Sequence, residues 1–352
     1  MTFYKSAEQY YSEMTSAIKD VDVSEFSLIY NSNMPVSMEL SYHSMLMDEI
    51  EKKMHAKTAF ESKYYDSLIK ICQDIGIYRK KATSSSGIVT IKGTKYSVLP
   101  KGSYVATKFS RIYTTQVELT LDENGEGNVL VVANETGNSY NAGIGDICSF
   151  PYEYKGIDSV INKEEIDNGY DDETYESLYN RYLLKVQTPA TSGNKYHYEQ
   201  WALEVTGVGS AKCIPGAGIV RVIIANSNKR AASKELIKET YDHIDEVRPL
   251  LAGTLEVITV KEIPINITGN VEIDTSVTLG EVQTIFKELV EKYLDDKVYK
   301  AKKVNIAKIQ GLLIDIDGVL DCKDIKINVC TSNITLNEDE IAVLQNVNLG
   351  VM

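Results

Sequence analysis

The string LLIDIDGVL, residues 312–320, decides the fold of the C-terminal part of this chain. Apolar residues run into a turn that ends in Gly318, and further apolar residues follow it. A related string, LEVTGV at residues 203–208, lies about 110 residues earlier and shares the glycine and the valine. Only the later string carries Asp315 and Asp317. The string is therefore either an active site or the second copy of a structural element.

The order Asp-x-Asp-Gly gives the first alternative. After an apolar segment it resembles the first motif of haloacid-dehalogenase-type phosphatases, which implies an Mg²⁺-dependent phosphohydrolase with Asp315 as nucleophile and Asp317 as general acid and base. That chemistry also needs a downstream Ser or Thr, a Lys and a second acidic pair, and only about thirty residues follow Gly318. We therefore favour the second alternative, in which helix, Gly-Val turn and strand occur twice and the carboxylates are incidental.

The residues around the two strings predict two small α/β domains. A strand–helix–strand pattern with Ser233 as helix N-cap follows the first string, and with the preceding helix and strand it favours a ferredoxin-like sandwich over residues 166–262. A similar pattern predicts a second small ferredoxin-like sandwich, the C-terminal α/β domain over residues 263–352. Its expected elements are a strand at 263–273, helices at 279–294 and 304–313, and strands at 317–330 and 341–351.

Short β-branched runs predict a compact β-rich domain at residues 83–165. Turn residues separate the runs, and Asn124-Gly125 is the strongest hairpin signal among them. The expected strands lie at 88–91, 96–99, 103–106, 117–121 and 129–133. Together with the flanking segments, this predicts a multidomain α+β protein.

The N-terminal region, residues 1–82, has a helical period from Ser37 to Gly76, with a possible break at 56–58. Gly76 lies where a helix C-cap belongs. An apolar stripe on this helix needs a partner, which is either its own domain or another chain; we favour the second slightly. The residues expected in a chain-to-chain contact are Tyr42, Leu46, Ile50 and Met54.

Composition narrows the function. The chain has 352 residues and a net charge of −13, which argues against non-specific binding of nucleic acid. No apolar run approaches the roughly 20 residues that span a bilayer, so we expect no membrane contact. Five scattered cysteines and four separate histidines favour reduced, mostly buried thiols and no metal site. The 23 tyrosines suit interfaces, although composition bias explains them equally well.

An acidic block at residues 169–181 has the pattern G-x-D-x-E-x-x-E-x-L-x-x-R. By itself it predicts a helix start, with Asp171 or Asp172 near the N-terminus, Glu173 and Glu176 in the first turn and Arg181 bridging back. With other motifs in the same order, the block resembles the baseplate J-like family of contractile phage tails and related injection machines. These motifs are found at residues 56–79, 93–102, 137–143, 156–162, 207–212 and 248–253.

The resemblance implies a structural wedge subunit without catalytic activity or cofactor. Two copies would pair through their N-terminal helices and clasp other wedge proteins. The C-terminal α/β part would join neighbouring wedges into a ring around the tail hub. We expect the protein in the bacterial cytoplasm during assembly, and then in the baseplate of a phage, a phage-derived bacteriocin or a secretion apparatus. A tail-tip adhesin is a further alternative, which the acidic, helix-flanked layout does not favour.

Overall fold

A computed structural model describes residues 2–188, 193–249, 253–295, 298 and 303–352. Contacts between residues group the chain into two compact units. One unit contains Met1–Lys80 and Glu173–Gln187, and the other contains Lys81–Asp172 and Thr188–Met352. The described parts mix helices and strands, which confirms the predicted α+β class. The boundaries of the four domains predicted from the sequence stay predictions.

The first unit is helical. Its described helices are α1 (Ala7–Thr15), α2 (Leu28–Met54), α3 (Ala56–Glu61), α4 (Tyr65–Asp74) and α5 (Tyr175–Gln187). Its core lies between α3, α4 and α5, where Ala59, Leu68, Cys72 and Leu178 are fully buried. The segment that contains the second half of the acidic block therefore completes the N-terminal helical core.

Helix α2 is longer than the sequence predicted. It begins at Leu28, where the Ser27 side chain accepts a hydrogen bond from the Tyr30 amide at 3.1 Å, and it continues through Pro35. We expected the helix to start after this proline, because proline removes an amide donor and usually marks a helix boundary. The helix ends at Met54, and its C-cap, His55, comes one residue before the predicted break.

The predicted C-cap at Gly76 is confirmed. Gly76 has φ +76°, and its amide donates to the Gln73 carbonyl at 2.9 Å. The next amide, of Ile77, donates to the Cys72 carbonyl at 2.9 Å. This pair of bonds is a Schellman motif, which satisfies the last carbonyls of α4.

The first part of the second unit is a barrel-like sheet. Its region contains strands β1 (Ser86–Gly93), β2 (Val98–Leu99), β3 (Tyr104–Thr107), β4 (Ile112–Thr115), β5 (Leu119–Thr120), β6 (Glu126–Ala133), β7 (Ile147–Ser149) and β8 (Ile157–Ile161). Six of them pair in the order β7-β3-β4-β6-β1-β8, while β2 pairs with β5. The five predicted strands are present, and β4, β7 and β8 were missed.

Asn162 closes this sheet between its two end strands. The side chain is fully buried, and its Oδ1 accepts from the Ile147 amide at 2.9 Å. Its Nδ2 donates to the Gly143 carbonyl at 2.7 Å and to the Glu164 carbonyl at 2.8 Å. One amide group thus pairs three main-chain groups where β7 and β8 meet.

We expect Asn162→Ala to lower the free energy of unfolding of the second unit by about 1–3 kcal/mol, because it leaves buried main-chain groups without partners. Thermal unfolding followed by the fluorescence of Trp201, the single tryptophan, measures this loss. Asn346→Ala, which removes an exposed amide, is the control and should change stability by less than about 0.5 kcal/mol. If Asn162→Ala and Asn346→Ala have the same melting temperature, Asn162 does not have this role.

The central α/β region follows the barrel-like sheet. Its elements are α6 (Lys195–Glu204), β9 (Val208–Pro215), β10 (Ile219–Asn226), α7 (Lys234–Val247) and β11 (Thr254–Thr259). The sheet order is β11-β10-β9, with β10 parallel to β11 and antiparallel to β9. As predicted, Ser233 caps α7, since its side chain accepts from the Leu236 amide at 3.2 Å.

The C-terminal α/β region has a similar sheet. Its described elements are β12 (Lys261–Ile273), α8 (Leu279–Asp295), β13 (Lys303–Val304), α9 (Ile306–Ile314), β14 (Val319–Ile327), β15 (Ile334–Thr335) and β16 (Glu340–Val351). The sheet order is β14-β12-β16, with β12 parallel to β16 and antiparallel to β14. Val304, predicted to start a helix, instead pairs with Ile334 in the small β13–β15 sheet.

The two regions share one arrangement with different connections. In each, a middle strand precedes a helix and has a parallel and an antiparallel neighbour, and a second helix leads into the antiparallel strand. The chain order is α-β-β-α-β in the central region. In the C-terminal region it is β-α-α-β-β, apart from the short strands β13 and β15.

The ferredoxin-like prediction is not confirmed. Each main sheet has three described strands, whereas a complete ferredoxin-like sandwich has four.

The repeated string is the turn from helix to antiparallel strand in both regions. Gly207 has φ +95° and Gly318 has φ +90°. The Val208 amide donates to the Val205 carbonyl at 3.2 Å, and the Val319 amide donates to the Ile316 carbonyl at 3.1 Å. The matching bonds show that the two strings form the same structural turn.

Candidate functional site

The helix face predicted to contact another chain is largely exposed. Tyr42, Ile50 and Met54 are 51%, 55% and 66% exposed, and Leu46 is half-buried. These four residues are spaced by four, so each lies about 40° further around the helix than the one before. The set therefore runs diagonally across the outer side of α2.

A straighter stripe on the same helix was missed by the sequence pattern. Its members are exposed and follow one another at spacings of four and three residues: Val36, Leu40, His43, Met47, Ile50 and Met54. Alternating spacings of four and three keep a stripe on one side of a helix, as in the seam of a coiled coil. Five of these six side chains are apolar, and Ile50 and Met54 belong to both sets. The outer side of α2 thus carries an apolar stripe that His43 interrupts once.

The N-terminal segment fixes the inner side of α2. The Thr2 hydroxyl and the Phe3 and Tyr4 amides donate to the Asp48 carboxylate, and these bonds hold the pKa of Asp48 below its usual value. The Lys5 carbonyl accepts from the Ser41 hydroxyl at 2.8 Å. These contacts turn the polar side of α2 toward its own unit, and leave the apolar stripe outside.

The acidic block contains a buried ion pair. Arg181 Nη1 lies 2.8 Å from Glu173 Oε2, and the two side chains are 13% and 5% exposed. Glu173 also accepts from the Lys80 amide and the Ser177 hydroxyl, both at 3.0 Å, and Arg181 donates to the Tyr78 carbonyl at 3.2 Å. Arg181 bridges back to the acidic block as predicted, and the structure identifies Glu173 as its partner. The pair ties α5 to the chain that follows α4.

The rest of the acidic block differs partly from the prediction. Glu176 lies in the first turn of α5 as expected, but Glu173 precedes the helix. Asp171 is not at the helix start: it accepts from the Asn138 amide at 2.9 Å. Asp172 accepts from the Ala82 amide at 2.9 Å. The carboxylates of Asp171 and Asp172 therefore accept hydrogen bonds from main-chain amides within the second unit.

Two of the motifs used for recognition meet in the second unit. Asn141 Oδ1 accepts from the Gly169 amide at 2.9 Å, and its Nδ2 donates to the Gly169 carbonyl at 3.1 Å. A Cβ atom on Gly169 would lie 2.8 Å from the Gly137 carbonyl oxygen, so the two backbones are in close contact. The motif at 248–253 is described only in part, because residues 250–252 lie outside the described residues. At Gly137 and Gly169, therefore, the backbone of one motif packs directly against the backbone of another.

Asp315 and Asp317 lie in the turn between α9 and β14. Asp315 is the C-cap of α9, and its amide donates to the Gly311 carbonyl at 3.0 Å. A helix therefore precedes the Asp-x-Asp-Gly string, where the phosphatase interpretation needs a strand. Within the described ranges, no group of three or more His, Cys, Asp or Glu side chains is arranged to hold a metal ion.

Cysteine burial differs from the prediction. Cys72 and Cys213 are buried, and burial raises the pKa of each thiol to about 11. Cys322 is half-buried, while Cys148 and Cys330 are exposed. All five thiols are free. The prediction of mostly buried thiols is thus wrong for three of the five.

A polar cavity of about 610 Å³ lies within the second unit. Arg230 on its wall forms a two-point ion pair with Glu262, at 2.9 and 2.8 Å, and the Ala231 amide donates to the same carboxylate at 2.8 Å. Burial raises the pKa of Asp167 in the same wall. Arg230 lies in the central region and Glu262 lies on β12. Their ion pair therefore joins the central region to β12 at this wall.

None of the helices in the described part of the chain has the length and apolar character needed to cross a bilayer. The outer side of α2 presents an exposed apolar stripe.

Three family models match consecutive segments. They are the baseplate J-like protein barrel domain at residues 88–169, the baseplate J-like central domain at residues 190–259 and the baseplate J-like protein C-terminal domain at residues 265–350. The chain belongs to the baseplate J-like family.

Individual proteins show the same relationship. The chain is 28% identical over 348 residues to the phage-like element PBSX protein XkdT of Bacillus subtilis (strain 168), which covers 96% of this chain and 94% of that protein. It is 27% identical over 198 residues to the baseplate protein gp47 of Escherichia phage Mu, which covers 55% and 54%. A chain in a solved anti-feeding prophage baseplate has a TM-score of 0.38 and 12% identity over 96% and 90% of the two chains. A TM-score this low does not establish a common fold.

Proposed function

We propose that this protein is a wedge subunit in the baseplate of a contractile phage tail or phage tail-like particle. Membership of the baseplate J-like family supports a structural role in such particles. In this proposal two copies pair within a wedge, bind other wedge proteins, and join neighbouring wedges in a ring around the hub. The role is structural, without catalysis.

The observation that carries the pairing is the outer side of α2. Met47, Ile50 and Met54 are each more than half exposed on one side of a helix whose other side is held by its own unit. Exposed apolar stripes with spacings of three and four residues are buried when two helices pack together. We therefore assign the contact between copies to the stripe from Val36 to Met54, which includes Ile50 and Met54 of the sequence-predicted set.

We expect Met47→Asp combined with Ile50→Asp to abolish pairing of the isolated chain. Two carboxylates per copy would have to be desolvated in an apolar seam, a cost of several kcal/mol. Sedimentation velocity of the full chain gives the ratio of monomer to dimer. At a concentration low enough that the unchanged chain is also monomeric, the melting temperatures should be equal, because both side chains are exposed in the single chain.

A matched control uses the same substitution on another side of the helix. Met38 and Met45 are 57% and 45% exposed, and they lie away from the stripe. Met38→Asp with Met45→Asp should leave the dimer fraction close to that of the unchanged chain. If the control dissociates and the stripe variant does not, the seam is on the other side of α2. If neither changes the dimer, α2 is not the contact.

The place in the particle needs a separate experiment. A gold label or a fused domain on this chain, seen by electron microscopy of assembled particles, should lie in the baseplate ring. A label at a fibre tip would reject the wedge and support an adhesin. The stripe variant should also lower the yield of complete baseplates, whereas the Met38 and Met45 control should not.

A further inference from the structure

The two flanks of the α2 stripe, meaning the positions just beside it along the helix, differ in exposure. Ser37 and Ser44 each follow a stripe residue directly, and both are buried against their own unit. On the opposite flank, three residues each directly precede a stripe residue: Glu39, Leu46 and Lys53. Glu39 is exposed, and the other two are half-buried. A helix that packs on the stripe therefore has this second flank, the free flank, beside it.

The free flank has a self-complementary order of charges. Glu39 and Lys53 lie seven residues on either side of Leu46, so all three occupy equivalent positions beside the seam. A two-fold rotation about an axis near Leu46 therefore brings each Glu39 to the Lys53 of a second copy. A two-fold contact needs this property, because residue i of one copy meets residue j of the other and j meets i. The charges thus fit a second copy of this chain in antiparallel orientation.

The same rotation matches the stripe to itself. Its six members pair across the seam as Val36 with Met54, Leu40 with Ile50, and His43 with Met47. Each imidazole then packs against a methionine, whose flexible side chain adapts to irregular contacts. Every residue of the stripe therefore has a counterpart in the stripe of the second copy.

A parallel pair of α2 helices does not match these charges. In a parallel seam, each free-flank residue lies beside the opposite flank of the partner, about five positions further along. Glu39 would then approach Ser44, which is buried in its own unit, and Leu46 would approach Glu51. Neither contact pairs opposite charges. Between the two orientations, charge complementarity therefore favours the antiparallel one.

Within one copy, Glu39 and Lys53 make only weak contacts. Glu39 Oε1 lies 3.3 Å from His43 Nε2, and Lys53 Nζ lies 3.5 Å from Glu49 Oε2. Lys53 Nζ also lies 4.8 Å from the centre of the Tyr64 ring. Ion pairs between solvent-exposed side chains contribute little to stability. Both charged groups can therefore turn to a second copy at small cost.

We propose that two copies pair through α2 in antiparallel orientation, with Glu39 of each copy bound to Lys53 of the other. This inference rests on the proposed function, in which the stripe forms the contact between copies. It adds the orientation of the pair and the two residues that select a second copy over another apolar helix. The apolar stripe supplies the buried surface, and the charges at its two ends set the register.

Charge reversal in two separately purified full chains tests the orientation. Glu39→Lys places two cations together at each end of the antiparallel seam, and Lys53→Glu places two carboxylates there. Because each dimer has two such contacts, we expect either variant alone to dimerise about tenfold more weakly than the unchanged chain. An equimolar mixture of the two variants restores opposite charges at both ends. Its dissociation constant, from sedimentation velocity, should return to that of the unchanged chain.

Lys52→Glu is the matched control, because it makes the same charge change one residue away, at an exposed position outside the seam. It should dimerise like the unchanged chain. Mixing it with Glu39→Lys should not restore pairing to the level reached with Lys53→Glu. Equal recovery in the two mixtures would show that net charge, and not the contact between Glu39 and Lys53, controls pairing, and would overturn the inference.

The stripe variant with Met47→Asp and Ile50→Asp separates this inference from the proposed function. If that variant dissociates but the mixture of Glu39→Lys and Lys53→Glu does not recover, the antiparallel orientation is wrong and pairing through α2 stands. If the stripe variant leaves the dimer intact, pairing through α2 and its antiparallel orientation both fail.

Discussion

Replacing Arg181 with methionine should destabilise the helical unit by about 3–5 kcal/mol. The substitution keeps most of the apolar stem but leaves the Glu173 carboxylate, 5% exposed, without its cation. Breaking a buried ion pair from one side is costly because the remaining charge stays desolvated. Hydrogen exchange of peptides from α4 and α5, at increasing denaturant, measures the free energy of opening of this unit.

A double substitution separates charge from packing. Arg181→Met with Glu173→Gln removes both charges, and the glutamine oxygen can still accept from the Lys80 amide. We expect the double variant to be more stable than Arg181→Met alone. Lys57→Met is the control for an exposed pair: Lys57 and Glu61 are 73% and 60% exposed and 3.9 Å apart, so its effect should be below about 1 kcal/mol. A double variant less stable than Arg181→Met would contradict this account.

Local patterns predicted the parts of the fold that have a strong period or a capping residue. Helices α7 and α8, strand β16, the Ser233 cap and the Gly76 cap lie within a few residues of their predicted positions. In each case the deciding interaction is within one element or its turn. The repeated Gly-Val turn was found in the same way, from spacing alone.

Contacts distant in sequence explain what the patterns missed. Strand β7 has three residues, too few to show a period, and it is placed through Asn162, fifteen positions away. Helix α2 passes through Pro35, which local rules take as a boundary, and packing against α1 stabilises it. The stripe that includes Val36 and His43 was missed because its histidine interrupts the apolar pattern. The stripe is identified by the exposed fractions of its side chains, which only the folded unit shows.

The motifs that revealed the family are mostly positions where backbones come close. Gly93 and Gly125 are in contact, since a Cβ on Gly125 would lie 2.2 Å from the Gly93 carbonyl oxygen. Asn141 and Asn162 use their amides to pair main-chain groups that no strand reaches. Such residues are recognisable because few side chains fit there. Because they maintain the scaffold, they do not identify the contact surface that we propose on α2.

The second large effect is expected at the glycine of the string LLIDIDGVL. Gly318 has φ +90°, a conformation that costs a side chain roughly 1–2 kcal/mol. A Cβ atom there would also lie 2.6 and 2.8 Å from the two methyl carbons of Val277, whose β-branched side chain has little freedom to move. Such overpacking adds about 1–3 kcal/mol. We therefore expect Gly318→Ala to lower the free energy of unfolding by about 2–5 kcal/mol.

The same change at other glycines separates these two causes. Gly207, in the equivalent turn, has φ +95°, and a Cβ would lie 2.8 Å from the Tyr170 ring, so Gly207→Ala should cost a similar amount. Gly145 has φ +76° with no atom within 4 Å of its Cβ position, so Gly145→Ala should show only the conformational cost. Denaturant unfolding of the three variants gives the values. If Gly318→Ala and Gly145→Ala are equally stable, close packing does not require this glycine. Asp317→Asn, one residue away, should leave stability nearly unchanged if the turn is architectural.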